Sequence, residues 1–544
     1  ITDQAVSQNS IIFEFSQLGG SHTDEEYFLR VHPDNIQIIG SERGMFYGIQ
    51  SLAQLLPLNF DGNALIPAVE IIDAPRFPYR GMHLDVSRHF MSVEFVKKFI
   101  NLLSHYKYNH FHWHLTDDQG WRIEIKKYPK LTEIGSKRRE SMVGKNNRPY
   151  VGDGIQVGGF YTQEQIREVV DFARSRFITI IPEIEMPAHS AAALAAYPEL
   201  GCKAGFKYQV QTTWAASTNI LCPTEQTFKF IADVLDDVVE LFPDSPYLHV
   251  GGDEVKSDHW SDSQYVAALK KSKGLRTDLD VKNWFMQQVG SIVSSKGKIM
   301  VGWDETLDGE LPSDAIVMAW RGESNGIAAA KVNRRVIMSP SEFTYFDHPQ
   351  GKAEFEPLSI GPTITLQRVY DYEPVPRKIS TEESRFVIGA QGCVWTEFIK
   401  TPSEAEYMVF PRALALAEVL WSKKTNRDYK DFYRRLENEL PRLDRGNVNF
   451  RIPEPYGFRD QNVALTEDAI VDLRSPIPNG EIYYTLDGTN PHAGSSIYRE
   501  RLVLNLAPNQ RIDVKIKIIV SEQRQSPVFV ARYTRSPGQS LGPH

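Results

Sequence analysis

Two acids stand side by side at the end of a short apolar run in His249-Val-Gly-Gly-Asp-Glu254. Tyr247 to Val250 has the length and character of a buried parallel strand, and Gly251-Gly252 lets the backbone turn sharply or approach a ligand. Asp253 and Glu254 then fall on the following loop, where carboxylates can give and take protons. The same pair could instead open a helix, since acids cap N-termini and suit the helix dipole. Other chemistry-bearing residues recur along the chain. Asn109-His-Phe-His-Trp-His-Leu-Thr-Asp-Asp118 puts three histidines on one strand face and ends in Asp117. His189 closes Pro182-Glu-Ile-Glu-Met-Pro-Ala-His189, and Trp303, Trp320, Tyr345 and Trp395 fall at successive strand ends. Flat rings of this kind suit the apolar faces of sugars.

The elements that must hold these residues read as strand, helix, strand, helix from about Pro78 to Arg445, the pattern of a parallel sheet. Candidate strands cover 81–86, 109–115, 178–184, 247–251, 298–303, 315–319, 335–338 and 386–391. Eight is the number of a (β/α)8 TIM-type barrel, whose chemistry sits at the C-terminal strand ends. Ser92 caps a helix carrying Phe95, Phe99, Leu102, Leu103 and Tyr106 on one face, and Thr162 to Gln165 reads as a capping box. The segments 116–161 and 340–385 lack helical periodicity and follow strands, so they are expected to be functional loops. On such a barrel, His112 and His114 could also ligate zinc, with His249 as a further ligand. That site would want an Asp closing the eighth strand, and Gln391-Gly-Cys-Val-Trp-Thr-Glu397 has none. Histidines that fill barrel layers or support the site by hydrogen bonds fit better, and no metal is expected.

Two further regions flank the barrel. Residues 1–75 read as a small α/β domain: a hairpin around Pro33-Asp34-Asn35, then a helix with Phe46, Ile49, Leu52 and Leu56 on one face, stopped by Pro57. The barrel takes 76–450, and 451–544 shows short alternating stretches and turns, read as a small β-sandwich with a disordered tail from Ser536. At 544 residues, 41% hydrophobic and with net charge -8, the chain lacks the basic stripe that nucleic acid or an anionic membrane selects, and no apolar run is long enough for a membrane span. Of three cysteines, Cys202 and Cys222 could pair; the odd count excludes a fully paired set.

These motifs, in this order, resemble glycoside hydrolase family 20, the β-N-acetylhexosaminidases. The resemblance is strong over the middle two-thirds; Arg43 to Leu55 is similar to the end of the family's N-terminal domain, whose first strands are expected further upstream. Tyr483-Tyr-Thr-Leu-Asp-Gly-Thr-Asn-Pro491 is similar to an accessory domain of bacterial members. The resemblance implies that Glu254 is the general acid/base and that Asp253 orients the substrate's 2-acetamido group, whose oxygen attacks the anomeric carbon. An ionised Asp253 is expected to raise the pKa of Glu254. His189 would link Asp117 to Glu254; Glu185 and Ala188 depart here from the family's Asp and Gly.

Trp303, Trp320 and Tyr345 would surround the acetamido group and Trp395 the ring, with the Tyr345 hydroxyl aiming the acetamido oxygen. Asp347 and Glu397 would hold the outer hydroxyls with Arg80, whereas Arg88 is expected to pair with acids at the barrel bottom. The implied activity is retaining exo-hydrolysis of terminal β-linked N-acetylglucosamine or N-acetylgalactosamine from oligosaccharides or glycoconjugates, without cofactor. Disaccharide release and non-catalytic sugar binding are the alternatives. The family and the absence of an initial Met imply a bacterial periplasmic, envelope or secreted location.

Overall fold

The computed structural model describes residues 9–16, 24–58, 64–145, 148–464 and 468–535; the tail expected from Ser536 lies outside them. The chain divides into two compact units, the first of residues 1–347, 372–405 and 416–426, the second of 348–371, 406–415 and 427–544.

The first unit opens with a four-stranded sheet in the order β1 (Ser10–Phe15), β3 (Asn35–Gly40), β2 (Tyr27–Val31), β4 (Val69–Asp73). Strands β2 and β3 form the expected hairpin, and β1 runs parallel to β3. Helix α1 (Glu42–Leu55) starts where Ser41 accepts the Gly44 N–H and ends before Pro57, whose ring cannot continue it. Its apolar face packs Tyr47 and Leu52 against Tyr27, Leu29 and Ile38.

The barrel follows, closed and all parallel: β5 (Tyr79–Asp85), β6 (His110–His114), β7 (Thr179–Met186), β8 (Tyr247–Gly251), β9 (Ile299–Trp303), β10 (Ile316–Ala319), β11 (Val336–Met338) and β12 (Val387–Gly392), which pairs back onto β5. All eight expected strands are present within a residue or two. Strand residues are buried nearly throughout, as expected of a sheet covered by helices outside and filled by side chains within. Helix α2 (Val93–His105) is capped by Ser92 and buries Phe95, Phe99 and Leu103; α3 (Gln163–Arg174) carries the Thr162–Gln165 capping box. Helices α4 (Glu225–Leu241) and α5 (Asp278–Ser295) flank β8 in sequence. Cys202 and Cys222 form a disulfide across 20 residues, leaving Cys393 free and buried.

In the second unit, helix α6 (Tyr429–Arg445) folds with residues 348–371 and the C-terminal strands. A five-stranded sheet runs Gln461–Ala464, Phe529–Arg535, Arg511–Ile519, Glu481–Thr485, Ser496–Ile497, beside a two-stranded pair, Asp468–Val471 with Leu502–Asn505. Alternation along Arg511–Ile519 buries Val514, Ile516 and Ile518. No helix among the described residues is long and apolar enough to cross a membrane.

Candidate active site

At the end of β8 the backbone takes an unusual path. Gly251, Gly252 and Glu254 all have positive φ (66°, 93° and 47°). A Cβ at Gly251 would lie 1.7 Å from the Glu185 carboxylate, and one at Gly252 would lie 2.7 Å from Thr306, so both positions require glycine. The turn separates the two acids by exposure: the Asp253 side chain is 12% exposed and that of Glu254 46%. Both still reach one nitrogen, His189 Nε2, which lies 3.6 Å from a carboxylate oxygen of each.

His189, itself at φ 51°, is the middle of a chain of alternating charges. Its Nδ1 lies 3.2 Å from Asp117 Oδ1. Asp117 Oδ2 is 2.9 Å from both Arg88 Nη2 and His114 Nε2, and His114 Nδ1 bonds Glu183. Burial opposes charge on His189, but Asp117 and Asp253 outweigh it and hold the imidazole well above its usual range. Burial likewise opposes His114, yet Glu183 and Asp117 raise it to about 10. Asp117, despite its burial, is held well below the usual carboxylate range by Arg88 and His189. The acid pair thus stands on a buried, charged relay. Asp253 is pushed up to about 6 by burial, and then by the Glu254 carboxylate against the opposing pull of His189.

Beneath the relay, Glu183 is completely buried and gathers ring nitrogens from three barrel strands. His249 Nδ1 lies 2.6 Å from it, Trp303 Nε1 donates at 2.9 Å, and His112 Nε2 stands 3.0 Å away. Burial disfavours its charge, but His249, His114 and His112 hold it well below the carboxylate range. The strand histidines therefore crowd one buried carboxylate, and His249 Nδ1 also accepts the Gly251 N–H. Among the described residues, His83, His112 and Glu183 are close enough to hold a metal ion, as are His114, Glu183 and Glu185, and Asp117, Asp118 and His189. In each group at least one carboxylate already receives N–H donors from side chains of the protein.

The rings gather as a box. Trp303 lies 5.8 Å from Trp395, Tyr345 6.3 Å from Trp395, and Trp320 stacks with Tyr345 at 6.2 Å and 18°. Trp320 donates its indole N–H to Glu305, a carboxyl that burial, Asp253 and Asp304 push up to about 8. Asp347, beyond Tyr345, is 5% exposed. Glu397 follows Trp395, and its carboxyl is raised by burial against the opposing pull of Arg88.

One expected residue is not there. Arg80 is at the N-terminal end of β5, fully buried, and bonded to Glu25 at 2.8 and 3.0 Å, to the Phe77 and Lys107 carbonyls and to Tyr47. Every edge of its fork is taken by the protein, at the opposite end of the strand from the acids. The arginine at the site is Arg88, three residues past the end of β5, expected instead at the barrel bottom. It reaches Asp85 and Asp117, accepts no role as a mere surface ion pair, and lies 5.1 Å over the Trp395 ring. Asp85, the last residue of β5, accepts the backbone N–H groups of Ser87, Arg88 and Thr396, tying the first and eighth strand loops together. Sequence reasoning also passed over Glu183 and Glu305. A Glu inside an apolar strand beside three strand histidines was the available signal for the first; the second had none beyond its place after Trp303.

The sequence pattern of the glycosyl hydrolase family 20 catalytic domain matches residues 77–424, that of the family's domain 2 matches 2–74, and an Fn3-associated pattern matches 471–533. A β-hexosaminidase of Porphyromonas gingivalis is 42% identical over 525 residues, covering 94% of this chain and 65% of that protein. One from Vibrio furnissii is 39% identical over 396 residues, 72% of this chain and 64% of that protein, so the chain spans slightly less than two thirds of each. Among solved structures, the family 20 exo-β-N-acetylglucosaminidase of Vibrio harveyi in complex with N-acetylglucosamine is 37% identical with a TM-score of 0.72, over 81% of this chain and 69% of that one. With the barrel, the paired acids and these matches together, the chain belongs to glycosyl hydrolase family 20.

Proposed function

We propose that the chain is a retaining exo-β-N-acetylhexosaminidase that removes terminal, non-reducing β-linked N-acetylglucosamine or N-acetylgalactosamine. The observation that carries this is the shared nitrogen: Asp253 and Glu254 both stand 3.6 Å from His189 Nε2. Two carboxylates so close on one loop cannot flank a glycosidic bond from opposite faces, as ordinary paired-carboxylate glycosidases require. The nucleophile must then come from elsewhere, and the substrate's acetamido oxygen supplies it. That oxygen attacks the anomeric carbon as the bond to the leaving oxygen breaks, and Glu254 gives the leaving oxygen its proton. Asp253 accepts the amide N–H and balances the oxazolinium charge. A water then attacks the same carbon, giving its proton to Glu254, and the ring reopens with the starting configuration.

The aromatic box supports the acetamido reading, and the names of the relatives agree with it. Tyr345 is placed in this scheme to donate to the acetamido oxygen, with Trp303 and Trp320 as walls and Trp395 under the ring. Asp347, Glu397 and Arg88 take the outer hydroxyls and close the pocket to a single residue. The disulfide supports an oxidising location such as a bacterial envelope or the exterior.

Release of nitrophenol from the β-N-acetylglucosaminide and from the plain β-glucoside, each with and without chelator, tests the proposal. Turnover of the acetamido sugar alone, indifferent to chelator, is expected. Comparable turnover of the glucoside, which has no internal nucleophile, would falsify substrate assistance, and a chelator-sensitive rate would transfer the chemistry to a metal.

A further inference from the structure

The second unit contains a cleft of about 1150 Å³. Its lining comes from the excursion 351–367, the start of α6, the segment 451–460 and residues 528–530. That volume exceeds the roughly 300–1,000 Å³ of ordinary small-molecule pockets, so an extended ligand is indicated.

Its floor is built rather than incidental. Arg451 is buried and held by Glu356 at 2.8 Å and Glu454 at 2.9 Å, while Tyr407 donates to Glu356 at 2.9 Å. Gly351 leaves the room for this: a Cβ there would lie 2.7 Å from the Glu356 carboxylate and 2.8 Å from Arg451 Nη2. Taking such charges out of water is costly and makes a poor stabilising device on its own. It does create a fixed polar floor, on which Glu454, its side chain 29% exposed, is the accessible hydrogen-bond acceptor.

The walls are aromatic: Tyr429, Tyr433, Tyr456, Phe458 and Phe529. The Tyr456 hydroxyl is tied to the Tyr433 carbonyl at 3.0 Å, and that of Tyr433 to the Glu454 carbonyl. With their polar ends committed, these two rings offer the cleft chiefly their apolar surface. The charged lining is balanced, with as many basic as acidic side chains, so it selects neither anions nor cations. A long ligand with no net charge, apolar faces and hydroxyl donors satisfies all three features.

From this we infer that the cleft is a second carbohydrate-binding site, taking a neutral oligosaccharide rather than a monosaccharide. The sugar chosen as probe rests on the activity proposed above; the cleft itself does not. The test is calorimetric titration of the full chain carrying Glu254→Gln with a β-linked tetramer of N-acetylglucosamine, repeated with Glu454→Gln or Tyr456→Ala added. Two sites per chain are expected, one of them weakened at least ten-fold by either added substitution, Glu454→Gln removing a hydrogen bond to a charged group and Tyr456→Ala an aromatic wall. Glu454→Gln keeps the side chain's shape, so a folding failure of the tyrosine variant leaves the test intact. Binding in the barrel pocket alone, or a second site that responds to neither substitution, overturns the cleft proposal. Binding in the cleft without binding in the barrel pocket would sink the proposed activity and leave the cleft standing.

Discussion

Arg80 and Arg88 sit at opposite ends of one barrel strand, are about equally buried, and do different work. At the N-terminal end, Arg80 meets a carboxylate from the preceding domain, Glu25, and two backbone carbonyls, so each of its donors ends on the protein. At the C-terminal end, Arg88 meets Asp85 and Asp117, carboxylates that also serve the strand loops and the relay to His189. Burial therefore does not tell a structural arginine from a functional one. What tells them apart is whether the partners have a second task.

Three sets of substitutions probe that contrast, and the largest effect is expected among the acids. Glu254→Gln should lower turnover of substrates with poor leaving groups by about 10² to 10⁴, the usual worth of general acid catalysis, while sugar binding persists. Full activity in that variant would remove Glu254 from the mechanism. The two arginines should then respond in opposite currencies. Arg80→Met leaves Glu25 buried without its cation and should cost about 3–5 kcal/mol of stability, with turnover per folded molecule unchanged. Arg88→Lys keeps the charge but loses the fork, and should lower kcat/KM by about ten- to a hundred-fold with little change in denaturant midpoint. If both variants lost stability alone, Arg88 would be structural and the contrast would collapse.

The smallest effect concerns pH. Asp253, pushed up to about 6, keeps a proton in the folded chain that the unfolded chain has already released. Its contribution to stability is full below the unfolded pKa and is lost as pH rises through about 6. Asp253→Asn cannot ionise, so its melting temperature relative to the parent should climb between pH 4 and pH 7. A difference that stays level across that range would show that Asp253 ionises without strain.

The barrel was legible because its signals are local. Each strand is a short apolar run bounded by a turn or cap, and Ser92 and Thr162 mark their helices within three residues. The acid loop was legible for the same reason, since Gly251-Gly252 announces a backbone that only glycine accepts. The arginines were not, because their roles depend on distant partners: Glu25 lies 55 residues before Arg80, and Asp117 lies 29 residues after Arg88. Strand direction held the clue. In a parallel barrel a residue beyond the C-terminal end of its strand faces the chemistry, and one at the start faces away. The Glu183 hub was hidden for a related reason. Its neighbours come from β6, β8 and β9, and no sequence period brings three strands to one carboxylate.

The aromatic box has an optical consequence. Of the chain's nine tryptophans, Trp303, Trp320 and Trp395 stand in it, and Trp395 has the His114 and His83 rings at 4.9 and 4.3 Å. The His114 ring, which Glu183 and Asp117 hold as an imidazolium, quenches indole emission, so a sugar that shifts Trp395 should change the intensity and colour of the intrinsic fluorescence. The cleft of the second unit has tyrosines and phenylalanines in its lining and no tryptophan. The two places are therefore spectrally distinct: occupancy of the barrel mouth reads in tryptophan emission, and occupancy of the cleft leaves that signal dark.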